Sequence, residues 1–498
     1  MNTVVILLDS LNRHCLEAYG ETVVCTPNLR RFGERAVVFD NHYAGSLPCM
    51  PARRELFTGR CEFLWRGWGH VEPWDGHLAR DAKAQGCTTQ MITDHYHYWE
   101  HGAHGYFEPF DGVDFVRGHE LDMSCTAPVA ETELPDWAAA INRYRTGRSR
   151  NFQGQGTSYF ANVRDWTDES AFSCAQTMSN AASWLDGNHA HESFFLWLEG
   201  FDPHEPHFVP EPYRSMYTSG RMPERFNCWP PYQNLADCQR FLNEANDEEI
   251  AWIRAQYFGK LTMVDQWLGR FFDAMDRHGL WDSTAVIVTT DHGHDLCYDR
   301  QRFPHPWGKQ YPHPETHAHT PLMVWHPQYP GKGRRVNALT WAVDVHATAQ
   351  ELLGGAAKGS PHGRSLMPLL RGETAQHRDW VLTGTFGTGA TLTTPEWTLA
   401  QGSTGTETAY WYSTTPTRVT PDMTSGKFIP GVDIPQWRVP AGKPCCPSYL
   451  WRREPFTLTP ESVLERFPDV AASMRDRLRA AIAEVGAPPE TLARLGLV

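Results

Sequence analysis

The chain has 498 residues, of which 45 are Lys or Arg and 58 are Asp or Glu, giving a formal net charge of -13. This acidic balance leaves no surplus of cations to replace the counterions along a phosphate backbone, which argues against a nucleic-acid partner. With 41% hydrophobic residues, the chain can bury a large core, and we expect two closely associated domains.

The N-terminus and the apolar segments predict where the protein resides. Residues 1–9 lack a basic region and reach a charged residue too early for a secretory signal peptide. No apolar stretch in the sequence is long enough to span a bilayer. We therefore expect a cytoplasmic protein without a membrane partner, whose cysteines are mostly thiols rather than a disulfide framework.

Four short apolar runs, each followed by an acidic residue, predict strands of a parallel sheet. In chain order, the runs are residues 4–8 before Asp9, 91–93 before Asp94, 194–198 before Asp202 and 285–290 before Asp291. Continuous apolar runs of this length are typical of strands that helices cover on both faces. Helices are expected at 168–185 and 248–278. Ligands should gather at the carboxyl ends of such strands.

The sequence changes in character near residue 372. Thr, Gly and Ser become frequent, and alternating apolar positions at 380–385 and 396–400 predict short antiparallel strands. Helical spacing returns at 463–485, with Pro468 as a break near its start. The predicted fold is α/β, with a mostly parallel central sheet flanked by helices in residues 1–371. A smaller antiparallel sheet plus helix is expected in residues 372–498.

The sequence at 46–60 reads Ser-Leu-Pro-Cys-Met-Pro-Ala-Arg-Arg-Glu-Leu-Phe-Thr-Gly-Arg. It resembles the sulfatase signature, in which Cys or Ser, any residue, Pro, any residue and Arg are followed by Thr-Gly. The matching positions are Cys49, Pro51, Arg53, Thr58 and Gly59. Further matches at 26–32 and 363–370 extend the resemblance over residues 4–372. The chain thus resembles the formylglycine-dependent, type I sulfatases of the alkaline phosphatase superfamily.

The resemblance implies a modified nucleophile. In that family a separate maturation enzyme oxidises the cysteine to formylglycine, whose hydrate provides the attacking oxygen and a second hydroxyl that later expels the bound group. His204 would protonate the leaving oxygen, and His97 would contact the formylglycine hydroxyl. Arg53 and Lys309 would hold sulfate oxygens. The implied catalytic residues are Cys49, Arg53, His97, His204 and Lys309.

The resemblance also implies a divalent metal at the ends of two strands. Asp9 and Asp291 would supply carboxylate oxygens, because a hard cation needs oxygen ligands that converge on it. The resemblance implies calcium. Ser10 stands where many sulfatases carry a second acid, and the loss of that carboxylate makes calcium less secure, so manganese or zinc stays open. The implied metal ligands are Asp9, Ser10, Cys49, Asp291 and His292.

Several histidines are expected around the substrate. His95 stands where many sulfatases have a lysine, although a histidine is cationic only near or below its pKa. His207 is expected in a proline-rich surface loop, and His294 is expected to shape the pocket or to pack structurally. The expected substrate-binding residues are His95, His204, Lys309 and His317.

The resulting interpretation is a sulfatase that hydrolyses a small-molecule or carbohydrate sulfate ester. Hydrolysis of a phosphonate monoester or phosphodiester by the same nucleophile stays open, because Ser10 and His95 depart from the sulfatase pattern. A third alternative is a non-catalytic binding protein that keeps the fold with Cys49 unmodified. The C-terminal segment from Pro444 is long enough to wrap a partner subunit and suggests a homodimer.

Overall fold

The computed structural model describes residues 1–102, 104–145, 154–218, 222–223, 226–232, 235–300, 307–355, 360–407, 409–414, 426–427, 436–439, 446–454, 457–458 and 460–498. Its strands are β1 (Asn2–Leu8), β2 (Val37–Tyr43), β3 (Ser46–Leu47), β4 (Thr88–Thr93), β5 (Gly112–Phe115), β6 (Phe194–Gly200), β7 (Thr284–Thr289), β8 (Asp295–Leu296), β9 (Trp307–Gly308), β10 (His319–Trp325), β11 (Arg335–Trp341), β12 (Val381–Thr385), β13 (Gly389–Thr393), β14 (Trp397–Gly402), β15 (Ala409–Tyr412), β16 (Gly426–Lys427), β17 (Gln436–Val439) and β18 (Tyr449–Arg452). Its helices are α1 (Pro27–Arg35), α2 (Cys49–Thr58), α3 (Leu78–Ala84), α4 (Asp136–Tyr144), α5 (Gln155–Val163), α6 (Ser173–Asn188), α7 (Tyr213–Met216), α8 (Leu235–Glu244), α9 (Asp247–Arg277), α10 (Glu315–Ala318), α11 (Ala342–Leu352), α12 (Met367–Arg371), α13 (Pro468–Glu484) and α14 (Glu490–Arg494).

An eight-stranded sheet forms the centre of the molecule. Its strand order is β11-β2-β10-β7-β1-β6-β4-β5, and every strand except β10 runs in the same direction. The four apolar runs of the sequence form the neighbouring strands β7, β1, β6 and β4, which confirms the predicted mostly parallel sheet. Because these strands are parallel, the acidic residues that follow them meet at one edge of the sheet.

Helices cover both faces of this sheet, because side chains along each strand alternate between two apolar cores. Val4 and Ile6 of β1 belong to the core that includes residues of α6 and α9. Val5 and Leu7 belong to the other core, which includes residues of α2, α11 and α13. Burial on both faces explains why these strands have continuous apolar sequences.

The two helices predicted in the first part of the chain are present with small shifts. The stretch at 248–278 forms α9, and the Asn246 side chain caps its start by accepting from the N–H of Glu249 at 2.9 Å. The stretch at 168–185 begins with a short 3-10 turn, so α6 itself starts only at Ser173.

A smaller five-stranded sheet lies in the C-terminal part, in the order β18-β14-β13-β12-β3. Its pairs are antiparallel except for β3, which comes from the N-terminal region and pairs in parallel with β12. The predicted antiparallel sheet plus helix is thereby confirmed. The helix expected over 463–485 begins only at Pro468, the position where the sequence predicted a break, because proline is well suited to a first helical position.

The predicted domain division and the predicted homodimer are not tested by the fold. The domain division near residue 372 stays a prediction. The homodimer also stays a prediction, and residues 440–445, where the proposed dimerisation segment begins, lie outside the described residues. Within the described part of the chain, no helix combines the length and the apolarity needed to cross a membrane.

Candidate active site

The signature segment forms a short strand and a buried helix. β3 leads into α2, which begins at Cys49 and ends at Thr58. Gly59 then adopts a left-handed conformation with φ of 67°, and its N–H donates to the carbonyl of Glu55 at 2.8 Å. A Cβ at Gly59 would lie 2.2 Å from Ser360 Oγ, so both the turn and its packing require glycine. The spacing of the motif is therefore that of one helix, from its first residue to its cap.

Cys49 lies in the first turn of α2 and is buried, with 3% of its surface exposed. Its Sγ is 3.4 Å from His292 Nε2 and 3.7 Å from Lys309 Nζ. Burial and the charge of Asp9 raise the pKa of the Cys49 thiol well above its ordinary value. Because the thiolate rather than the thiol is the nucleophile, an unmodified Cys49 is poorly reactive in this setting.

Asp9, Asp291 and His292 converge on Cys49 from the ends of β1 and β7. One ligand atom from each of these four residues lies within 4.8 Å of the others, and all four residues are buried. His292 Nδ1 lies 2.9 Å from the carbonyl oxygen of Gly293, while Nε2 lies 3.2 Å from Asp291 Oδ2. Such a contact at Nδ1 fixes the tautomer that leaves Nε2 free to bind a metal.

The two carboxyl groups of this cluster have unequal proton affinities. Burial and the nearby charge of Asp291 raise the pKa of Asp9 to about 8. Burial would also raise the pKa of Asp291, but His292 and Arg53 outweigh it and lower that pKa below its ordinary value. Two buried carboxyl groups this close favour a cation between them. The donor set of two carboxylates, an imidazole and the group at position 49 therefore fits a divalent metal.

Arg53 is fully buried and joins three acids. Its Nη2 donates to Asp9 Oδ2 at 2.7 Å, and its Nη1 donates to Asp291 Oδ2 at 2.8 Å. Its Nε donates to Glu199 Oε1 at 2.6 Å, and Nη1 also donates to the carbonyl of Cys49 at 3.1 Å. The guanidinium thus holds the ends of β1, β6 and β7 against the start of α2.

Ser10 contacts both aspartates of the cluster. Its Oγ donates to Asp9 Oδ1 at 2.8 Å, and its N–H donates to Asp291 Oδ1 at 3.1 Å. Ser10 has a positive φ of 61°, and its carbonyl accepts a hydrogen bond from the Tyr257 hydroxyl at 2.8 Å. Ser10 therefore orients the two acids, and its predicted role as a metal ligand stays a prediction.

Lys309 lies between Cys49 and a second group of buried side chains. Its Nζ is 3.7 Å from Cys49 Sγ and 3.6 Å from Glu205 Oε2. Burial would lower the pKa of Lys309, but Cys49 and Glu205 raise it well above its ordinary value, so the ammonium stays charged. His204 Nδ1 lies 3.5 Å from Glu205 Oε2, and burial lowers the pKa of His204 well below its ordinary value. The carboxylate of Glu205 therefore contacts both the charged ammonium of Lys309 and the neutral imidazole of His204.

His95 is buried next to the acidic cluster. Its Nε2 lies 3.7 Å from Asp9 Oδ2, and burial together with Arg53 lowers the pKa of His95 well below its ordinary value. A neutral imidazole does not carry the fixed charge that a lysine would supply at this position. The predicted contact of His95 with the substrate stays a prediction.

His97 lies between two carboxylates. Its Nδ1 is 3.1 Å from Glu100 Oε2, and its Nε2 is 3.3 Å from Glu120 Oε2. Burial would lower the pKa of His97, but Glu100 and Glu120 outweigh it and raise the pKa to about 9. Both ring nitrogens thus face glutamates rather than Cys49, and a charged ring donates a proton more readily than it accepts one.

The pairing of His97 predicts a pH-dependent contribution to stability. Because its folded pKa of about 9 exceeds the ordinary value of 6.5, the contribution is complete below pH 6.5 and is lost as the pH rises through 9. We expect His97→Gln to cost roughly 3 kcal/mol near pH 6 and much less near pH 10, measured by urea unfolding. His346→Gln is the matched control, because burial lowers the pKa of His346 to about 3. An equal cost of His97→Gln at both pH values would contradict the prediction.

Two further histidines have clear positions. His207 is fully buried beside His294 and Trp307, so the expectation of a surface loop is wrong. Neighbouring apolar side chains cover the His207 loop, and its proline-rich composition did not indicate that it is buried.

The carbonyl of His317 accepts from the N–H of Gly293 at 2.8 Å, and so His317 supports the loop of the metal cluster through its backbone. Its predicted contact with the substrate stays a prediction.

Glu199 is a site residue that the sequence interpretation missed. Besides Arg53, it accepts hydrogen bonds from the Tyr98 hydroxyl at 2.8 Å and from Trp197 Nε1 at 2.9 Å. The available signal was an acidic residue inside the otherwise apolar strand β6. A buried carboxylate is costly unless it is paired, so such a residue predicts a buried cation nearby.

Comparison with known proteins agrees with this geometry. Residues 1–356 match the family model for Sulfatase. The chain belongs to the sulfatase family. The multifunctional alkaline phosphatase superfamily protein PehA of Trinickia caryophylli is 26% identical over 411 residues, which are 74% of this chain and 77% of the relative. The arylsulfatase of Clostridium perfringens is 23% identical over 402 residues, which are 76% of this chain and 80% of the relative.

Solved structures show the same fold. The crystal structure of the phosphonate monoester hydrolase of Agrobacterium radiobacter has a TM-score of 0.65 and 19% identity, covering 99% of this chain and 97% of that chain. The predicted family and fold are therefore confirmed. Family membership and the arylsulfatase relative also support the predicted enzyme class, a sulfuric ester hydrolase.

Proposed function

We propose that this sulfatase-family protein hydrolyses a sulfate ester with formylglycine at position 49 as the nucleophile. The observation that carries the proposal is the convergence of Asp9, Asp291, His292 and Lys309 on Cys49. The high pKa of the Cys49 thiol supports it further, because an unmodified thiol would be a weak nucleophile here. A separate maturation enzyme would supply the aldehyde, whose hydrate offers the attacking oxygen.

The residues around position 49 would act mainly by position and charge. Arg53 and Ser10 hold Asp9 and Asp291 in fixed orientations, so these acids need no rearrangement during the reaction. The charged ammonium of Lys309 would bind an oxygen of the sulfate group. Group transfer of this kind depends largely on positioning and electrostatic stabilisation, so a preorganised site would provide most of the rate.

His204 is the candidate proton donor to the leaving oxygen. Its Nδ1 is hydrogen-bonded to the carbonyl oxygen of Glu205, so Nε2 is the ring nitrogen that is available to contact the substrate. Burial lowers the pKa of His204 in the free protein. An anionic ester beside the ring would raise that pKa, because a nearby negative charge favours the protonated form. Protonation of His204 would therefore accompany substrate binding.

Asp9, Asp291 and His292, with the group at position 49, would hold the divalent metal, which when bound would stabilise negative charge on the reacting oxygens. Calcium was expected from the family resemblance. An imidazole ligand is common for zinc, whereas calcium and manganese are better suited by oxygen ligands. The position of His292 within the cluster therefore favours zinc over calcium.

The proposed substrate is a small-molecule or carbohydrate sulfate ester. The Trp68 ring is half-buried and lies 4.7 Å from the ring of His97. A flat aromatic face suits a sugar ring or an aromatic alcohol. A maturation enzyme is the proposed protein partner, and a cytoplasmic location remains part of the proposal.

The proposal is tested first by peptide mass spectrometry of protein made together with a maturation enzyme. We expect the peptide that contains position 49 to be about 18 Da lighter than its cysteine form, because an aldehyde replaces the thiol. Peptides containing Cys61 or Cys87 should keep their unmodified mass and serve as internal controls. An unmodified Cys49 in every sample would instead support the non-catalytic binding protein.

Phosphonate monoester or phosphodiester hydrolysis is the second candidate. The described metal cluster contains only two carboxylates, and His95 beside it is neutral. A phosphonate monoester spreads its negative charge over fewer free oxygens than a sulfate ester does, so each of those oxygens is more negative. Nearby carboxylates repel such oxygens more strongly, and a site with fewer acidic ligands therefore suits the phosphonate monoester. Comparing kcat/KM for an aryl sulfate and for an aryl phosphonate monoester decides between the two, and the larger value identifies the reaction.

A further inference from the structure

A second cluster of buried ligand-type side chains lies next to Lys309, whose Nζ is 3.6 Å from Glu205 Oε2. One ligand atom each from Glu205, His207 and His294 lies within 4.8 Å of the others. The side chains come from two loops, one after β6 and one after β7. His294 Nδ1 is 3.5 Å from Glu205 Oε2. Neither the sulfate ester chemistry nor the first metal cluster uses these three side chains as ligands.

The two imidazoles of this cluster are buried without the hydrogen bonds that such rings normally make. His207 and His294 are both fully buried, and among the described residues neither ring nitrogen of either histidine has a hydrogen-bond partner. Aromatic rings surround them, with the Trp307 ring 5.9 Å from that of His207 and 5.3 Å from that of His294. Buried polar atoms without partners cost free energy, so a bound species at this position would be stabilising.

The backbone holds the histidines in place independently of their rings. Asn12 Nδ2 donates to the carbonyl of His294 at 3.0 Å, and the N–H of His294 donates to Asn12 Oδ1 at 2.7 Å. The N–H of His207 donates to the carbonyl of Cys228 at 2.7 Å. The rings are thus fixed through their main chains, and their nitrogens remain available to a ligand.

The protonation states suit metal binding. Burial lowers the pKa of His207 well below its ordinary value and that of His294 to about 3, so both rings are neutral. Burial would raise the pKa of Glu205, but His204 and Lys309 outweigh it and lower the pKa well below its ordinary value. A neutral imidazole and an ionised carboxylate are the forms in which these side chains bind a cation.

We propose that Glu205, His207 and His294 form a second divalent-metal site, with a donor set suited to zinc. Two imidazole nitrogens and a carboxylate oxygen are a common zinc ligand set, and three protein ligands leave a position open for water or substrate. The ammonium of Lys309 contacts both clusters, because its Nζ lies 3.6 Å from Glu205 Oε2 and 3.7 Å from Cys49 Sγ. The proposal concerns metal binding alone and does not depend on formylglycine or on turnover.

The experiment measures zinc content of the full-length protein. The protein is stripped with a chelator, equilibrated with zinc in the presence of a weak competing chelator that removes surface-bound ions, and analysed by plasma mass spectrometry. We expect about two zinc ions in the wild type and about one in His207→Gln and in His294→Gln. His346→Gln, which changes another fully buried histidine, should keep about two.

A variant of the first site completes the test. Asp9→Asn should weaken that site, because it removes one of the two carboxylate ligands of the first cluster. It should keep about one zinc ion, and adding His207→Gln should remove this ion. Cobalt bound to Asp9→Asn should give a visible absorption spectrum that reports two nitrogen ligands, whereas the first cluster supplies only that of His292. This measurement keeps the test valid if the histidine variants fold poorly. One zinc ion in the wild type with none in Asp9→Asn would overturn the proposal and indicate bound water instead.

Discussion

Cys49→Ala is expected to reduce turnover of the ester substrate by more than about 1000-fold, because it removes the proposed nucleophile and leaves only the surrounding charges. Binding of the substrate should change far less, since Lys309 and the other three metal ligands, Asp9, Asp291 and His292, remain. The measurement is kcat with an aryl sulfate or an aryl phosphonate, whichever the wild type hydrolyses faster. Cys61→Ala is the matched control, because Cys61 is also buried and lies just beyond the same helix.

A serine at the same position gives a sharper result. The hydroxyl of Cys49→Ser can attack the ester once, but it lacks the second hydroxyl of the formylglycine hydrate that would expel the bound group. We therefore expect a burst of about one product molecule per chain, and a protein whose mass increases by the transferred group. Sustained turnover by Cys49→Ala, or by Cys49→Ser whose serine is unmodified by mass spectrometry, would contradict the proposed nucleophile.

Arg53→Met is expected to have the largest effect on stability. The guanidinium pairs with Asp9, Glu199 and Asp291, and all of these side chains have no exposed surface. Breaking a buried ion pair by removing one partner typically costs about 3–5 kcal/mol, because the remaining charges stay buried without compensation. Urea unfolding at neutral pH measures this loss. A change below about 1 kcal/mol would mean that the buried acids take up protons and become neutral without Arg53.

Two companion variants separate stability from the function of the site. Adding Glu199→Gln to Arg53→Met should recover part of the lost stability, since one unpaired carboxylate is removed. Arg54→Met should also destabilise the protein, because Arg54 is buried and pairs with Glu62 at 3.3 Å. It should nevertheless keep the full metal content, whereas Arg53→Met should lose the metal of the first cluster. Equal metal loss in both would indicate general unfolding.

The main elements of the fold could be predicted from the sequence, because their causes are local. Strands buried on both faces have continuous apolar sequences, and α9 carries both its apolar stripe and its cap residue Asn246. The signature from Cys49 to Gly59 likewise reflects one helix and its left-handed cap. The exact helix starts were less predictable, because the backbone before Ser173 and Pro468 depends on packing.

The sequence alone therefore determined the family, the parallel sheet and the meeting of Asp9 and Asp291 beside position 49. The carboxyl ends of neighbouring parallel strands lie together whatever the length of the loops between them. Only the tertiary structure decided the charge states and the pairing. It placed Glu199 against Arg53, surrounded His97 with two glutamates, and buried His207 beside Glu205. These contacts join segments far apart in the chain, and burial, which sets the pKa of each group, depends on everything packed around it.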